Sequence, residues 1–324
     1  MKIVITGGGG FLGHQLCKLL LARGKLCGQD VSELVLVDAH FHRPLSDPRV
    51  REVKGDISNR DFIFSTIRGT EQTTIFHLAS MVSGECEERF DDALRVNLDG
   101  GRHVFEAARA IAGRPRVVFA SSVACYGGMD MTQAMSDGTK QLPQTTYGMT
   151  KAICEMLIND HTRKGHFDGR SVRLPTVIVR PGKPNAAASS WASGMFREPL
   201  QGEECLLPIR RDQPHPMTGY RTAVASFIAL CEAPEEKLSR DRAYVLPGHR
   251  VTPQIAESVI TEVAAARGIK LGPIIEKFDK RIQGIVDNWP QQVDGSRALA
   301  LGLPAPPPLR EIVEHYLEDF GSPK

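Results

Sequence analysis

Apolar and polar positions alternate along the first half of the chain as buried strands and amphipathic helices do. Short apolar runs rich in β-branched residues predict strands over 2–6, 33–38, 50–54, 73–80, 116–122 and 170–180. Helices are predicted between these strands, over about 11–23, from about 60, and over 87–112 and 147–163. This order predicts a parallel, doubly wound α/β sheet.

Beyond residue 182 the pattern changes, because proline and glycine become frequent and helices alternate with short strands. Helices are predicted over about 189–200, 222–232, 253–267 and 309–320, with a strand over 244–246. We therefore expect a smaller, mixed α/β lobe over 183–324 after a first domain over 1–182. The chain can cross back from this lobe to the first domain.

Three glycines follow the first predicted strand at Gly7, Gly10 and Gly13. A turn of this kind supplies backbone freedom, lets a pyrophosphate approach the main chain and lets the next helix pack close to the strand. The helix that begins near Gly10 would aim its free N–H groups at the phosphates. Glycine-rich turns also serve as simple connections, so the motif predicts a dinucleotide site only together with other signals.

An acidic residue, Asp38, ends the second long strand about 25 residues beyond Gly13. A carboxylate there accepts hydrogen bonds from the adenosine ribose and repels a 2′-phosphate, which favours NAD over NADP. Arg43 lies close enough in sequence to hold a phosphate, and Asp38 could also be a solvated loop acid. Asp56 and Ile57 either cap the following helix or contact the adenine.

Composition and charge exclude several classes of protein. The 324 residues carry a net charge of +2 with acids and bases interspersed, which predicts no binding to nucleic acid or to an anionic membrane. No apolar run approaches the ~20 residues of a spanning helix, and a strand predicted from residue 2 leaves no room for a leader. The lack of a leader predicts a cytoplasmic protein. The seven scattered cysteines lack a C-x-x-C pair, so we expect reduced thiols and no metal site.

Three polar residues combine into a pattern that points to proton transfer. Ser122 ends the fifth strand, and Tyr147 and Lys151 stand one helical turn apart at the start of the next helix. Tyrosine alone is a poor base, since its pKa is ~10, but an ammonium and a positive nicotinamide ring stabilise its phenolate. Lys151 could also bind the nicotinamide ribose, and Ser122 could hold the substrate oxygen. Asn97 is either simply exposed on its helix or continues a water-mediated proton path.

These motifs together resemble the extended short-chain dehydrogenase/reductase family over nearly the whole chain. The resemblance rests on TGGGGFLG, Asp38, Asp56-Ile57, HLAS, Asn97, Ser122 and YGMTK, in this order. It implies a Rossmann domain with a C-terminal substrate lobe, a catalytic Tyr147 supported by Lys151 and Ser122, and NAD as cofactor. It also implies a homodimer formed through two long helices per subunit, here about 87–112 and 147–164.

The resemblance also implies which residues bind ligands. The predicted NAD contacts are Gly7, Gly10, Phe11, Leu12, Gly13, Asp38, Asp56, Ile57, Leu78, Ala79, Ser80, Asn97, Tyr147, Lys151 and Pro181. The predicted substrate contacts are Ser83, Ser122, Tyr147, Asn185, Ser190 and Arg197. Arg197 is the predicted carboxylate contact, because a guanidinium binds a carboxylate through two hydrogen bonds, although it could equally be a surface helix residue.

The C-terminal part narrows the expected substrate. Segments 180–190, 197–200, 289–290 and 297–302 resemble the D-erythronate dehydrogenase group, whose members oxidise this sugar acid to 2-oxo-erythronate with NAD. A nucleotide-sugar epimerase or dehydratase is the first alternative, since Arg210, Arg211 and Arg221 could contact a diphosphate. A dinucleotide-binding regulator without chemistry is the second, and the presence of Tyr147 and Lys151 argues against it.

Overall fold

The computed structural model describes residues 1–42, 44–184 and 187–321. Its strands are β1 Lys2–Thr6, β2 Lys25–Leu26, β3 Gln29–Asp30, β4 Glu33–Asp38, β5 Val50–Lys54, β6 Thr74–His77, β7 Arg116–Ser122, β8 Ala134–Met135, β9 Asp168–Leu174, β10 Thr176–Ile178, β11 Cys205–Leu207, β12 His215–Gly219, β13 Ala243–Val245, β14 His249–Val251, β15 Ile274–Glu276 and β16 Gln292–Val293. Its α-helices are α1 Phe11–Arg23, α2 Arg60–Thr66, α3 Ser83–Glu88, α4 Phe90–Ala93, α5 Gly100–Arg109, α6 Thr146–Arg163, α7 Ser190–Leu200, α8 Tyr220–Glu232, α9 Pro253–Arg267, α10 Lys280–Val286, α11 Ser296–Ala300 and α12 Leu309–Phe320.

Seven parallel strands form the central sheet, in the order β13-β9-β7-β6-β1-β4-β5. The first strand of the chain, β1, lies inside this sheet and pairs with β4 on one side and with β6 on the other. Its residues Ile3, Val4 and Ile5 are fully buried, because helices cover both faces. The sheet confirms the predicted α/β fold with a Rossmann-like parallel arrangement.

Separate apolar clusters fill the two faces of the sheet. One contains Leu16 of α1 and Phe227 of α8, and the other contains Ile63 of α2, Phe105 of α5 and Ile158 of α6. Each of these side chains is fully buried, and such burial stabilises the fold by about 1.5–3 kcal/mol per residue. Helices therefore cover both faces of the sheet, and the carboxyl ends of its parallel strands lie along one edge.

The C-terminal half builds a third apolar cluster around α7, α9 and α12, beside the small sheet β10-β12-β14. Two elements of the C-terminal half contact the first domain: β13 pairs with β9 in the central sheet, and α8 packs in the apolar cluster that contains Leu16. The chain therefore returns to the sheet after residue 182, and a domain boundary at that residue stays a prediction. Among the described residues, no helix is both long and apolar enough to cross a membrane.

Two predicted elements were wrong in their boundaries. The strand predicted over 170–180 is two strands, because Pro175 has no N–H to continue the ladder; β9 stays in the central sheet and β10 joins β12. The helix predicted over 87–112 is interrupted at Arg89, whose backbone leaves the helical region (φ −129°, ψ 66°), and by a π-helical turn over Leu94–Asp99. Asn97 lies in that turn.

Candidate active site

The glycine turn between β1 and α1 has no space for side chains. Gly7 has a φ of +77°, and a Cβ on it would lie 2.7 Å from the Ala79 nitrogen. A Cβ on Gly13 would lie 2.1 Å from the Gly7 carbonyl oxygen. Helix α1 begins after Gly10 with no side-chain cap, so its first N–H groups stay available to a ligand. The turn therefore fits a pyrophosphate group.

A cavity of about 630 Å³ lies beside this turn, and Asp38 and Asp56 are both in its wall. The Asp38 carboxylate accepts hydrogen bonds from the Gly9 N–H at 3.0 Å and the His40 N–H at 3.1 Å. The cavity also contains other predicted cofactor contacts, namely Gly7, Gly10, Ile57, Leu78, Ala79 and Ser80. Arg43, the alternative phosphate contact, lies outside the described residues.

Asp56 does not cap α2. The N-cap is Asn59, whose side chain accepts a hydrogen bond from the Phe62 N–H at 3.0 Å. Asp56 instead accepts hydrogen bonds from the Ser58 N–H and from Arg95 Nη1, each at 2.8 Å. Of the two alternatives left open by the sequence, the structure therefore excludes the capping role.

A second cavity of about 270 Å³ continues from the first, because the two share Gly7, Gly10, Leu78, Ser80 and Met81 in their walls. It reaches Phe11, Leu12 and Gly13 at the start of α1, and Tyr147 and Lys151 on α6. A third cavity, of about 220 Å³, shares Tyr147 with the second. The three cavities form one cleft along the carboxyl ends of the central strands, which is where open α/β sheets bind ligands.

Tyr147 and Lys151 lie on one face of the first turns of α6, a helix capped by Thr145, whose hydroxyl accepts from the Gly148 N–H. Lys151 Nζ donates to the Ala120 carbonyl at 2.8 Å and lies 5.3 Å from the centre of the Tyr147 ring. Burial lowers the pKa of Lys151 to about 8. Burial raises the pKa of Tyr147 to about 12, while a hydrogen bond with Ser122 acts in the opposite direction.

Asn97 is buried, so it is not the exposed helix residue that was one of its two interpretations. Its side-chain oxygen accepts from the Met81 N–H at 2.7 Å, and Nδ2 donates to the Met81 carbonyl at 3.3 Å. Met81 forms part of the wall of the first two cavities. Asn97 therefore holds the loop after β6 against the cleft.

The third cavity, here called the substrate cavity, contains four of the predicted substrate contacts in its wall: Ser83, Ser122, Tyr147 and Ser190. Arg197 is not among the wall residues. Its buried guanidinium forms an ion pair with Glu198 and donates to the Arg180 carbonyl at 2.8 Å, because α7 turns it into the C-terminal core. Pro181 is also absent from the described walls of the cleft, and Asn185 lies outside the described residues.

Sequence reasoning missed several residues of this cavity, among them Thr176, Arg180, His215 and Trp289. Among the described wall residues, Arg180 is the one that carries a charge. Burial, with Arg197 nearby, holds the pKa of Arg180 below its ordinary value. Its position at the end of the strand predicted over 170–180 was a usable signal, since strand ends form the cleft. His215 gave no such signal. Trp289 lies in the segment 289–290 that narrowed the expected substrate, but nothing in the sequence placed it beside His215 at this cavity.

The model of the NAD dependent epimerase/dehydratase family matches residues 3–243. The chain belongs to this family. It is 42% identical over 329 aligned residues to the D-erythronate dehydrogenase of Cupriavidus necator, with both chains covered completely. It is 38% identical to the D-erythronate dehydrogenase of Haemophilus influenzae, over 98% of this chain and 99% of the relative.

The solved structure of the nucleoside-diphosphate-sugar epimerase from Agrobacterium tumefaciens matches with a TM-score of 0.88 and 35% identity, over 99% of this chain and 95% of that chain. The family membership confirms the resemblance to the extended short-chain dehydrogenases and the prediction of an NAD-dependent dehydrogenase. NAD is the cofactor. The glycine turn, which has no space for side chains, and the start of α1, which has no side-chain cap, fit its pyrophosphate.

Proposed function

We propose that this protein oxidises D-erythronate to 2-oxo-erythronate with NAD. The observation that carries the proposal is a small cavity in which Arg180, the one cation among the described wall residues, shares the wall with Tyr147. A sugar acid has one carboxylate and a hydroxyl on the next carbon, so the charge pattern of the ligand matches that of the cavity. The names of the two full-length relatives support the same substrate.

Different residues of the cleft would bind different parts of NAD. The glycine turn and the first N–H groups of α1 would hold the pyrophosphate, and Asp38 would accept from the adenosine ribose. Ile57 and its neighbours in the first cavity would contact the adenine, and Lys151 would contact the second ribose. When bound, NAD supplies the hydride acceptor and a positive charge on its nicotinamide ring.

The protein's own groups then handle the proton and the substrate. Arg180 would bind the carboxylate through two parallel hydrogen bonds and so orient the adjacent C2 hydroxyl. Ser122, which shares a hydrogen bond with Tyr147, would hold the oxygen of that hydroxyl. The Tyr147 phenolate would accept its proton, and a positive charge beside the ring favours that phenolate. Arg180 replaces Arg197 as the proposed carboxylate contact.

A nucleotide sugar fits the cavity less well. Its diphosphate requires several cations, and it has about four times as many non-hydrogen atoms as erythronate, whereas 220 Å³ is below the ~300–1,000 Å³ typical of sites for drug-sized ligands. The arginines that supported this alternative lie outside the wall and are paired, Arg210 with Asp287, Arg211 with Glu257 and Arg221 with Asp319. These pairings favour the sugar acid.

The assembly and location of the protein stay proposals as well. We propose a homodimer through α6 and the segment α3–α5, because Met156 on α6 is 59% exposed and Phe90 on α4 is 52% exposed. Large apolar side chains on two adjacent helices are typical of a surface that a partner covers. The cytoplasmic location remains a prediction from the sequence.

The experiment is an assay of NADH formation with D-erythronate and with erythritol, its uncharged analogue, on wild type and Arg180→Met. We expect oxidation of erythronate alone, and an increase in its KM of about 10- to 100-fold in Arg180→Met, as the loss of hydrogen bonds to a charged group predicts. Because Arg180 also lies in the wall of the second cavity, NAD affinity is measured on the same variant.

Arg221→Met is the matched control, since Arg221 is paired with Asp319 away from the cavity. Equal rates on erythritol and erythronate, or an unchanged KM in Arg180→Met, would contradict the proposal.

A further inference from the structure

Two residues in the wall of the substrate cavity each carry a buried nitrogen atom without a partner among the described residues. His215 is 1% exposed and Trp289 is 6% exposed, and both line the cavity. Neither His215 Nδ1 nor Trp289 Nε1 has a hydrogen-bond partner among the described residues. A buried polar group left unpaired costs about 1–3 kcal/mol, so native structures keep few of them unless a ligand or water completes the bond.

The two nitrogens belong to rings that lie side by side. His215 is the first residue of β12 and Trp289 follows α10, and their ring centroids are 5.6 Å apart. His215 Nε2 is 2.5 Å from the Thr176 hydroxyl, so the bond with Thr176 leaves Nδ1 as the free position of the imidazole. Burial lowers the pKa of His215 to about 4, which keeps the ring neutral at neutral pH.

A neutral imidazole and an indole N–H discriminate between kinds of ligand group. The indole can only donate, while the free nitrogen of a neutral histidine donates or accepts according to its tautomer. A hydroxyl satisfies both, because it donates one hydrogen bond and accepts two. A phosphate or a second carboxylate would bring a charge that no cation at this part of the wall offsets, since Arg180 is the one charged residue among the described wall residues.

We propose that Trp289 Nε1 and His215 Nδ1 form a hydroxyl subsite for the end of an acyclic sugar acid remote from its carboxylate. The inference rests on the proposed function, in which Arg180 binds the carboxylate. Arg180 at one end of the substrate and the two ring nitrogens at the other would together select for substrate length. A four-carbon acid such as erythronate would reach both anchors, and a three-carbon acid such as glycerate would reach only Arg180.

The chain offers a closely matched control in Trp191. This residue is also 6% exposed, its ring centroid lies 5.7 Å from that of His215, and its Nε1 has no partner within the described part of the chain. Unlike Trp289, it does not line the substrate cavity. Replacing either tryptophan with phenylalanine removes the same N–H from the same kind of packing, so a difference between the variants reports on the ligand.

The test is calorimetric titration of D-erythronate and D-glycerate into NAD-saturated Tyr147→Phe protein, in which turnover is removed and binding alone is measured. Adding Trp289→Phe should raise the Kd for erythronate about tenfold and leave the Kd for glycerate within about twofold, since one hydrogen bond to a neutral group is lost. Adding Trp191→Phe should change neither. His215→Phe, which keeps a ring between the tryptophans, should reproduce the Trp289→Phe result if the latter does not fold.

Each outcome decides between the subsite and the proposed function. An equal loss of both acids in Trp289→Phe, or the same selective loss in Trp191→Phe, would overturn the subsite while leaving the sugar-acid substrate in place. A Tyr147→Phe protein that binds NAD but neither acid would overturn the proposed substrate, and the subsite with it.

Discussion

Burial shifts the pKa values of the two residues central to the chemistry in opposite directions, because it disfavours the charged form of each. Tyr147 is raised to about 12 and Lys151 is lowered to about 8. The sequence suggested that Lys151 brings the tyrosine towards working pH, but the ammonium lies 5.3 Å from the ring and bonds to Ala120 instead. The phenol therefore stays protonated in the protein alone, and a further positive charge in the cleft is needed to favour the phenolate.

Lys151→Met should be more stable than wild type at pH 7.5, and the difference should disappear as the pH rises. Between pH 8 and 10.5 the unfolded chain binds a proton at Lys151 that the folded protein has lost, so wild-type stability increases with pH. Relative to Lys151→Met, the wild-type free energy of unfolding should gain about 2 kcal/mol from pH 7.5 to pH 10. Urea titrations across this range measure the gain.

The same substitution should weaken NAD binding, because Lys151 is proposed to contact the second ribose. Lys18→Met is a suitable control, since Lys18 lies on α1 away from the described walls of the three cavities of the cleft. If the difference in the free energy of unfolding between wild type and Lys151→Met did not change with pH, the stability prediction would be wrong, because burial of the Lys151 ammonium would not destabilise the folded protein.

At the scale of elements, the π-helical turn between α4 and α5 places Asn97 against the loop that borders the cofactor cavities. A continuous helix would leave Asn97 among ordinary helix positions, whereas the π-helical turn buries it and directs its amide to Met81. Such turns within helices often occur at functional sites. The interruption thus positions the loop that borders two of the cavities, a role that the sequence left open.

Asn97→Ala should raise the Kd for NAD about three- to tenfold, since it removes two hydrogen bonds that hold Met81. The free energy of unfolding should fall by about 1–3 kcal/mol, because the Met81 backbone loses its partner. Fluorescence titration with NAD and urea denaturation measure the two effects. Asn288→Ala removes an exposed amide that donates to the Gly284 carbonyl and should change neither. A large fall in kcat with unchanged NAD affinity would instead favour the proton path.

At the scale of the whole molecule, the C-terminal half completes both the sheet and the substrate cavity. β13 adds the edge strand beside β9, and β12 and the segment after α10 supply His215 and Trp289. The N-terminal half alone would therefore have a cofactor cleft but an open substrate site. The exposed apolar side chains on α4 and α6 remain uncovered by either half.

Met156→Glu should convert a wild-type dimer into a monomer, because it places a charge in the proposed interface. Sedimentation equilibrium measures the mass of each species. Phe278→Glu is the matched control, since Phe278 is 60% exposed but lies outside α3–α6. A monomeric wild type, or a dimer that survives Met156→Glu, would contradict an interface at this helix.

The sequence alone predicted those parts of the structure that depend on residues close together along the chain. The bounds of α1, β4, β5, β7, α9 and α12 agree with the predicted ranges, since hydrophobic period and end signals are local. The glycine turn, Asp38 and the spacing of Tyr147 and Lys151 follow the same logic. Each is a short stretch whose backbone geometry sets the placement of its own side chains.

Only the tertiary structure decided the substrate cavity. Arg197 has the chemistry of a carboxylate contact but turns into the core beside Glu198, while Arg180 enters the wall. His215 and Trp289 are 74 residues apart in sequence, but their ring centroids are 5.6 Å apart. Such contacts depend on how α7, β12 and α10 pack, and a helical or strand pattern does not encode which of several buried faces its neighbours will share.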